Sequence, residues 1–313
     1  MRKSLRKIRW NIVQWSSRVS IPRYKNVSLY NVMHFYMESL RKGQIGHRSA
    51  SISFRFLTAL FPLCIFLFSI IPFIPVNNLQ ENLMIGLRNF FPDQIYGFFH
   101  EILMDLIHKK KAVLMSVGFL LTVYFASNAV NSLITGLTAS HHLNRKRKFW
   151  KQRLWSLGLL FAFLLLFVLA FVITSIGQWL IDYEYKSGVI QNDALYWMFV
   201  VLKSALSIFT FMISISLLYN VANTDKIKWK FFNIGALTST VLILILKETF
   251  GFYLTHFGKF DQVYGPIGTG LAFLLFVFYM FVIIIIGFEL NVSLQKAYRY
   301  KNAAEFVTPK PKK

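Results

Sequence analysis

The chain has 313 residues, of which 55% are hydrophobic, 17% aromatic and only 15% charged. Soluble domains carry about 25% charged residues, so this composition excludes an ordinary soluble enzyme and indicates a protein that spans a lipid bilayer. The formal net charge of +22 fits either nucleic-acid binding or loops that face anionic lipid, and the positions of the basic residues distinguish the two.

Residues 1–50 are predicted to form a cytoplasmic, basic and amphipathic arm. The segment RKSLRKIRWNIVQW mixes basic residues with Trp10 and Trp15, and SLYNVMHFYMESLRK, from Ser28, has helical amphipathic spacing. Both segments suit the headgroup layer, where aromatic residues anchor and basic residues meet anionic lipid. The arm lacks the apolar core and cleavage site of a signal peptide. RNA binding by the arm is the alternative interpretation, because interleaved basic and aromatic residues suit that as well.

Six segments are long enough to cross a bilayer, which takes about 20 apolar residues. They lie within a predicted membrane domain of residues 51–296. The chain has one cysteine, Cys64, in the first of these segments, so no disulfide framework is expected. The predicted fold is therefore an all-α integral membrane protein with six transmembrane helices and additional amphipathic interfacial helices. The predicted spans are residues 52–73, 112–137, 154–181, 195–221, 232–254 and 266–290.

The lysines and arginines outside these spans are distributed unevenly. The segments 1–50, 138–153, 222–231 and the tail from Lys296 hold 26 of them, whereas the three opposite loops hold six. Cytoplasmic loops of membrane proteins carry the excess of basic residues. This distribution predicts that both termini are cytoplasmic, and it explains most of the net charge without nucleic acid. Anionic headgroups at the cytoplasmic loops are the expected partners, a homo-oligomer is left open, and no specific nucleic acid is expected.

The loop 77–110 is predicted to form two amphipathic helices, broken near Pro92, that lie on the outer leaflet or cap the bundle. Glu101, Asp105 and His108 share one helical face there. These residue types fit either a metal site or a solvated polar face, and the solvated face is favoured because no second ligand cluster is near in sequence. Residues 297–313 are predicted to form a basic cytoplasmic tail that is disordered beyond Tyr300.

The last third of the chain resembles a known family. The segment KWKFFNIGALTSTVLILILKETFGFYLTHFGKFDQVYGPIGTGLAFLLF, followed by VFYMFVIIIIGFELNVSL, is similar to the YihY/BrkB family of polytopic bacterial membrane proteins, also called ribonuclease BN-like. The segment SISFRFLTALFPLCIFLFSIIPF resembles the first span of that family, with its proline. The resemblance covers roughly residues 30–295 and implies a six-helix inner-membrane protein. It implies little about activity, since members have been linked both to transport and to virulence.

The residues do not support the ribonuclease name. None of the seven histidines forms an HxHxDH or HExxH pattern, which a metal nuclease would need to hold ions and activate water. The glycines of GPIGTG lack the lysine and spacing of a phosphate-binding loop. No enzymatic activity and no cofactor are therefore expected.

Polar residues within the spans are the candidate functional residues, because ionisable groups inside a membrane are costly and usually pair or face a cavity. Arg55 near the start of the first span and Glu289 near the end of the sixth have matching depths, and Asn128 and Asn131 approach the same level. A polar cluster near the inner face is predicted, either as a structural clamp or as the lining of a transport pathway. Asn291, which closes the motif GFELN, joins these candidates.

Three further charges lie near the outer end of the bundle. Lys203 of the fourth span and the adjacent Lys247 and Glu248 of the fifth have similar predicted depths. The hypothesis is a Lys203–Glu248 pair that bridges the two spans while Lys247 extends outward. The alternative is that Lys247 and Glu248 both reach the outer interface.

Two functions fit this sequence. One is transport, export or lipid handling, which requires groups that face a cavity between helices. The other is a structural or interaction protein whose basic cytoplasmic loops recruit partners and whose intramembrane polar residues only lock helices together. An RNA-processing enzyme, the third possibility, is disfavoured by the missing ligand patterns.

Overall fold

A computed structural model describes residues 20–21, 27–70, 112–140, 143, 147–177, 181, 193–224, 233–257 and 266–307. Apart from a two-residue antiparallel pairing of β1 (Ser20–Ile21) with β2 (Val27–Ser28), the described elements are helices. They are α1 (Leu29–Lys42), α2 (Ile45–Ile70), α3 (Ala112–Thr138), α4 (Phe149–Phe171, continued as a π-helical segment Val172–Ile176), α5 (Asp193–Ala222), α6 (Ile234–Phe257) and α7 (Pro266–Val307).

The helices α3 to α7 contain the five described segments that are long and apolar enough to cross a membrane. They correspond to the second to sixth predicted spans. The first predicted span falls on α2, which has 26 residues and is therefore about 39 Å long, but the side chains at its end lie outside the described residues. Helix α4 has a mean hydropathy of 3.0 with only 6% of its span buried, as expected for a helix that faces lipid.

Successive helices run in opposite directions. The start of α2 contacts the end of α3 through Arg48 and Gly136, the start of α4 contacts α3 through Gln152 and Thr135, and the start of α6 contacts α7 through Gly235 and Asn291. One end of the bundle, hereafter the Glu289 end, therefore gathers the starts of α2, α4 and α6. A single core of buried apolar residues joins α2 to α7, with Leu137, Tyr219 and Phe288 among its fully buried members.

Helix α1 packs across the Glu289 end and against the extension of α7. Val32 of α1 is buried with Leu294 and Ala297 of α7 in a second apolar cluster. Helix α7 continues without a break to Val307, so the prediction of disorder beyond Tyr300 is wrong up to that residue. The predicted helix in the arm is confirmed as α1, whereas the loop 77–110 lies outside the described residues.

Which side of the membrane the Glu289 end faces stays a prediction, and fusions of a topology reporter check it. Reporters in 138–153, in 222–231 and at both termini should report the cytoplasm, and reporters in 77–110 and 183–193 should report the outside. The reason is the excess of 26 basic residues over six. Opposite results for the two termini would mean that one helix does not cross.

Candidate functional site

The carboxylate of Glu289, on α7, is fully buried. Arg48 Nη1 lies 2.7 Å from Glu289 Oε1, and the hydroxyls of Ser39 and Ser140 donate to Glu289 Oε2 at 2.5 and 2.6 Å. A buried carboxylate is tolerated only when it is paired and hydrogen-bonded. Helix α1, the start of α2 and Ser140, two residues after the end of α3, each supply one of these three donors, so all converge on one side chain of α7.

The guanidinium of Arg48 makes further bonds at the same place. Its Nε donates to the carbonyl of Gly136 at 2.6 Å, Nη1 to Gly43 O at 3.0 Å and Nη2 to Leu137 O at 3.4 Å. The last carbonyls of a helix have no intrahelical partner and carry the negative end of the helix dipole, so the end of α3 also favours this cation. We call Ser39, Arg48, Ser140 and Glu289 the Glu289 cluster.

The predicted polar cluster includes Glu289, but its arginine is Arg48 and not the predicted Arg55. Arg55 lies seven residues, or about two helical turns, beyond Arg48 on α2 and takes no part in the cluster. Asn128 and Asn131 also bond elsewhere. Arg48 was missed because it falls within residues 1–50, which were predicted to form the amphipathic arm and not part of the first span. The signal that could have found it is the helical spacing that continues from the first span back to Ile45.

Tyr36 of α1 lies in the field of the same carboxylate. Burial, and secondarily the charge of Glu289, raise the pKa of the Tyr36 phenol. Both causes disfavour tyrosinate, so Tyr36 packs near the cluster as a neutral group over the physiological pH range.

A second buried polar network joins α5, α6 and α7. Asn233 caps α6, since its Oδ1 accepts from Ala236 N at 2.7 Å, and the same oxygen accepts from Asn291 Nδ2 at 2.8 Å. Asn291 Oδ1 accepts from Gly235 N at 2.8 Å, and Asn233 Nδ2 donates to Ser216 Oγ at 3.1 Å. Asn291 therefore satisfies two groups at the start of α6, and its amide acts as a tie between helices.

Tyr219 extends this contact toward the middle of the bundle. Its fully buried hydroxyl donates to Ile284 O at 2.6 Å and lies 2.7 Å from Ser239 Oγ. The backbones of α6 and α7 approach closely here because Gly235 and Gly287 face each other. A Cβ atom at Gly287 would lie 2.7 Å from Gly235 O and 2.8 Å from Tyr219 Oη, closer than side chains pack.

The two asparagines of α3 connect this helix to α4. Asn128 Oδ1 accepts from Arg153 Nη1 at 2.6 Å, and Asn131 Oδ1 accepts from Ser156 Oγ at 3.3 Å. The guanidinium of Arg153 also lies 5.9 Å from the centre of the Tyr124 ring. Neither asparagine lines the apolar chamber described below.

The predicted pair between Lys203 and Glu248 is wrong. Glu248 instead lies 3.3 Å from its neighbour Lys247, and both side chains are exposed, at 79% and 70%. The stem of Lys203 packs beside Gly177 at the end of the π-helical segment. Lys203 and Glu248 were predicted to lie at similar depths, but their side chains do not point toward each other. The Lys247–Glu248 pair faces outward.

An apolar chamber of 440 Å³ lies between α2, α3, α4, α5 and α7. Two of its lining residues, Thr210 and Ser214, carry hydroxyls, and both bond to carbonyls of their own helix. Its wall residues Phe167 and Phe211 are 69% and 37% exposed, so the chamber opens sideways, toward lipid. It is lined by Phe56, Ala129, Val130, Leu133, Phe163, Leu166, Phe167, Ala170, Thr210, Phe211, Ser214, Ile215, Leu218, Met280, Phe281 and Ile284.

No group of three or more potential metal ligands occurs among the described residues. Glu101, Asp105 and His108, the alternative metal site considered from the sequence, lie outside the described residues.

Residues 37–310 match the family model described as virulence factor BrkB. The chain belongs to the BrkB family. Its relatives include the ribonuclease-like protein YfkH of Bacillus subtilis (strain 168), which is 26% identical over 84% of this chain and 94% of its own length. The UPF0761 membrane protein XAC0937 of Xanthomonas axonopodis pv. citri (strain 306) is 23% identical over 95% of this chain and 67% of its own length. No solved structure matches.

The segments that carried the resemblance to the BrkB family meet in space. The motif GFELN places Gly287, Glu289 and Asn291 on α7, and NIGAL places Asn233 and Gly235 at the start of α6. They form the α6–α7 contact and contribute Glu289 itself to the Glu289 cluster. These motif residues of this BrkB-family membrane protein therefore hold helices together at one end of the bundle.

Proposed function

We propose that this protein binds and moves a lipid, or another molecule with a hydrocarbon chain, within the bacterial cytoplasmic membrane, and that the apolar chamber holds that chain. The chamber is the observation that carries the proposal. Its volume of 440 Å³ lies in the range of about 300–1,000 Å³ that ligand sites occupy.

The lining supports an apolar occupant over an ion or a sugar. A polar substrate that leaves water requires hydrogen-bond partners. The two hydroxyls of the chamber are engaged by Leu206 O and Thr210 O, and every other lining residue is apolar. The lateral opening beside Phe167 supports entry from the bilayer rather than from water.

Filling the chamber tests the proposal. Ala170 lies in the lining of α4, and Ala170→Trp should reduce labelling of the purified protein by a photoreactive fatty-acyl phospholipid about tenfold. Excluding two methylenes removes about 1.6 kcal/mol of burial, and each 1.4 kcal/mol is tenfold in affinity. Labelling is measured by mass spectrometry of cross-linked peptides from the chamber helices.

The matched control is Leu165→Trp, at a residue of the same helix that is 56% exposed and lies outside the lining. It should leave chamber labelling unchanged. Equal labelling of wild type and Ala170→Trp, or an equal loss in both variants, would contradict chain binding in the chamber.

A structural or interaction role is the second candidate, and the polar contacts favour it. Glu289, Asn291, Asn128 and Asn131 all bond between helices, which is the behaviour expected of residues that only lock the bundle. A single-cysteine accessibility scan separates the two candidates. Chamber positions such as Ser214 that react with an apolar thiol reagent, and are protected by lipid, support handling, whereas unreactive chamber positions support a purely structural bundle.

We also propose that the protein has no ribonuclease activity, despite the name of YfkH. The support is the sequence, whose histidines form no nuclease pattern. Contaminant-free protein should leave RNA intact with and without divalent metal. Metal-dependent cleavage that is lost in a folded variant lacking His141 and His142 would overturn this.

A further inference from the structure

A second pocket, of 370 Å³, lies between α2 and α3 on a different face from the chamber. Ser51, Phe54, Arg55 and Thr58 of α2 and Phe125 and Asn128 of α3 line it. It shares no lining residue with the chamber. We propose that this pocket, hereafter the Arg55 pocket, binds the phosphate of an anionic phospholipid headgroup.

Its polar atoms are mostly donors. Arg153 Nη1 donates to Asn128 Oδ1 at 2.6 Å, and this bond fixes the orientation of the amide, because a guanidinium has no acceptor. Asn128 Nδ2 is thereby left as a donor. The guanidinium of Arg55 adds up to five donors in a planar fork that matches phosphate oxygens, and the Ser51 hydroxyl can donate as well.

No described carboxylate neutralises the pocket. Glu289 pairs with Arg48, Glu38 with Lys42, and Glu248 with Lys247. Within the part of the chain that the structure describes, Arg55 has neither an ion pair nor a side-chain hydrogen bond. A cation at this level of a membrane helix is costly unless an anion or water compensates it, and Arg153 adds a second positive charge beside Asn128.

The pocket walls indicate where the anion comes from. Phe54 and Phe125 flank Arg55, and Phe54 is 68% exposed. A free phosphate gains nothing from these rings, whereas the acyl or glycerol part of a phospholipid buries apolar surface against them. A net anionic headgroup is favoured over a zwitterionic one, since the described residues offer no acid for a choline or an amine.

This inference does not depend on the proposed function, because a headgroup can occupy the Arg55 pocket whether or not a chain enters the chamber. The two tests use different residues, Arg55 and Ala170, so either can fail alone.

The test is the retention of phosphatidylglycerol by the full chain in detergent, titrated by native mass spectrometry. Arg55→Gln should weaken the apparent affinity about tenfold or more, because it removes charge-assisted hydrogen bonds. Arg55→Lys keeps the charge but loses the fork, so its affinity should be intermediate. Arg55 is exposed, so both variants should keep the thermal stability of the wild type, which the same samples verify.

Three arms decide the assignment. Arg41→Gln removes an exposed arginine of α1 outside the pocket and should retain phosphatidylglycerol as wild type does. Phosphatidylcholine should bind more weakly than phosphatidylglycerol, and inorganic phosphate should not displace the lipid. Equal binding by wild type and Arg55→Gln, equal weakening by Arg41→Gln, no preference between the two lipids, or displacement by inorganic phosphate would each overturn the headgroup assignment.

Discussion

Replacing Glu289 with glutamine should destabilise the bundle by about 3–5 kcal/mol, the cost of leaving one buried charge of a pair without its partner. Arg48 Nη1 now lies 2.7 Å from the carboxylate, and the Arg48 side chain is only 9% exposed, so water can compensate little of its charge. A glutamine keeps the shape of the side chain, but its NH2 group would face either the guanidinium or the serine hydroxyls, which are themselves donors to Glu289. We expect a lower yield of folded protein and a lower melting temperature in detergent.

The two members of the pair should not be exchangeable. In Arg48→Glu with Glu289→Arg, the new carboxylate would face the carbonyls of Gly136, Gly43 and Leu137, which Arg48 now serves as a donor. Carbonyl and carboxylate oxygens repel each other. The swap should therefore remain as unstable as the single variants, whereas an ion pair that acts through charge alone would be restored.

The matched control is the Glu38–Lys42 pair of α1, with its ions 2.8 Å apart and the Lys42 side chain 58% exposed. Exposed pairs of this kind contribute about 0.2–1 kcal/mol, so Lys42→Gln should change the melting temperature little. Thermal unfolding followed by tryptophan fluorescence ranks the variants. A Glu289→Gln protein as stable as Lys42→Gln, or a swap that restores stability, would show that the cluster does not hold the bundle together in this way.

The spans were predictable because hydropathy is a local property. Twenty apolar residues in a row indicate a crossing whatever lies beside them, and α3 and α5 begin and end within two residues of the prediction. The start of α2 was missed by seven residues, since IGHRSAS is polar. The segment is nevertheless helical, and Ser49 within it is buried, which hydropathy along one segment does not report.

The partners of the polar residues were not predictable from depth. Arg48 and Glu289 are separated by 241 positions, and three separate segments of the chain supply donors to that carboxylate. Depth estimates place a residue along the helix axis but give no direction around it. For this reason Arg55 was matched to Glu289, and Lys203 to Glu248, although the members of each pair face different neighbours.

The polar contacts that hold the helices together and the apolar chamber lie in different parts of the bundle. Buried polar bonds concentrate at the Glu289 end, where α1, α2, α3, α6 and α7 meet. The chamber, by contrast, has an almost entirely apolar lining contributed by α4 and α5 together with α2, α3 and α7. Interhelical hydrogen bonds in membranes contribute about 0.6 kcal/mol on average, so several together are needed to hold the helices at that end.

The closest helix contact should also be the least tolerant of added volume. Gly287→Ala places a methyl group against Ser239 Oγ, Gly235 O and Tyr219 Oη, all within a buried region that cannot expand freely. Overpacking usually costs about 1–3 kcal/mol. We expect the upper end of that range, since one of the three atoms is a backbone carbonyl and another belongs to a fully buried ring.

Two glycines on the same helices provide controls for Gly287→Ala. A Cβ atom at Gly270 of α7 or at Gly251 of α6 meets no other atom within 4 Å, so alanine there should be neutral or stabilise the helix by up to about 1 kcal/mol. Adding Ser239→Ala to Gly287→Ala removes the nearest obstructing oxygen and should recover part of the loss, while Gly235 O and Tyr219 Oη still oppose the methyl group. Melting temperatures in detergent give the order. If Gly287→Ala has the same melting temperature as Gly270→Ala, the helices α6 and α7 lie farther apart than the structure shows. The Asn291 hydrogen bonds to the start of α6 would then have to form across a wider gap.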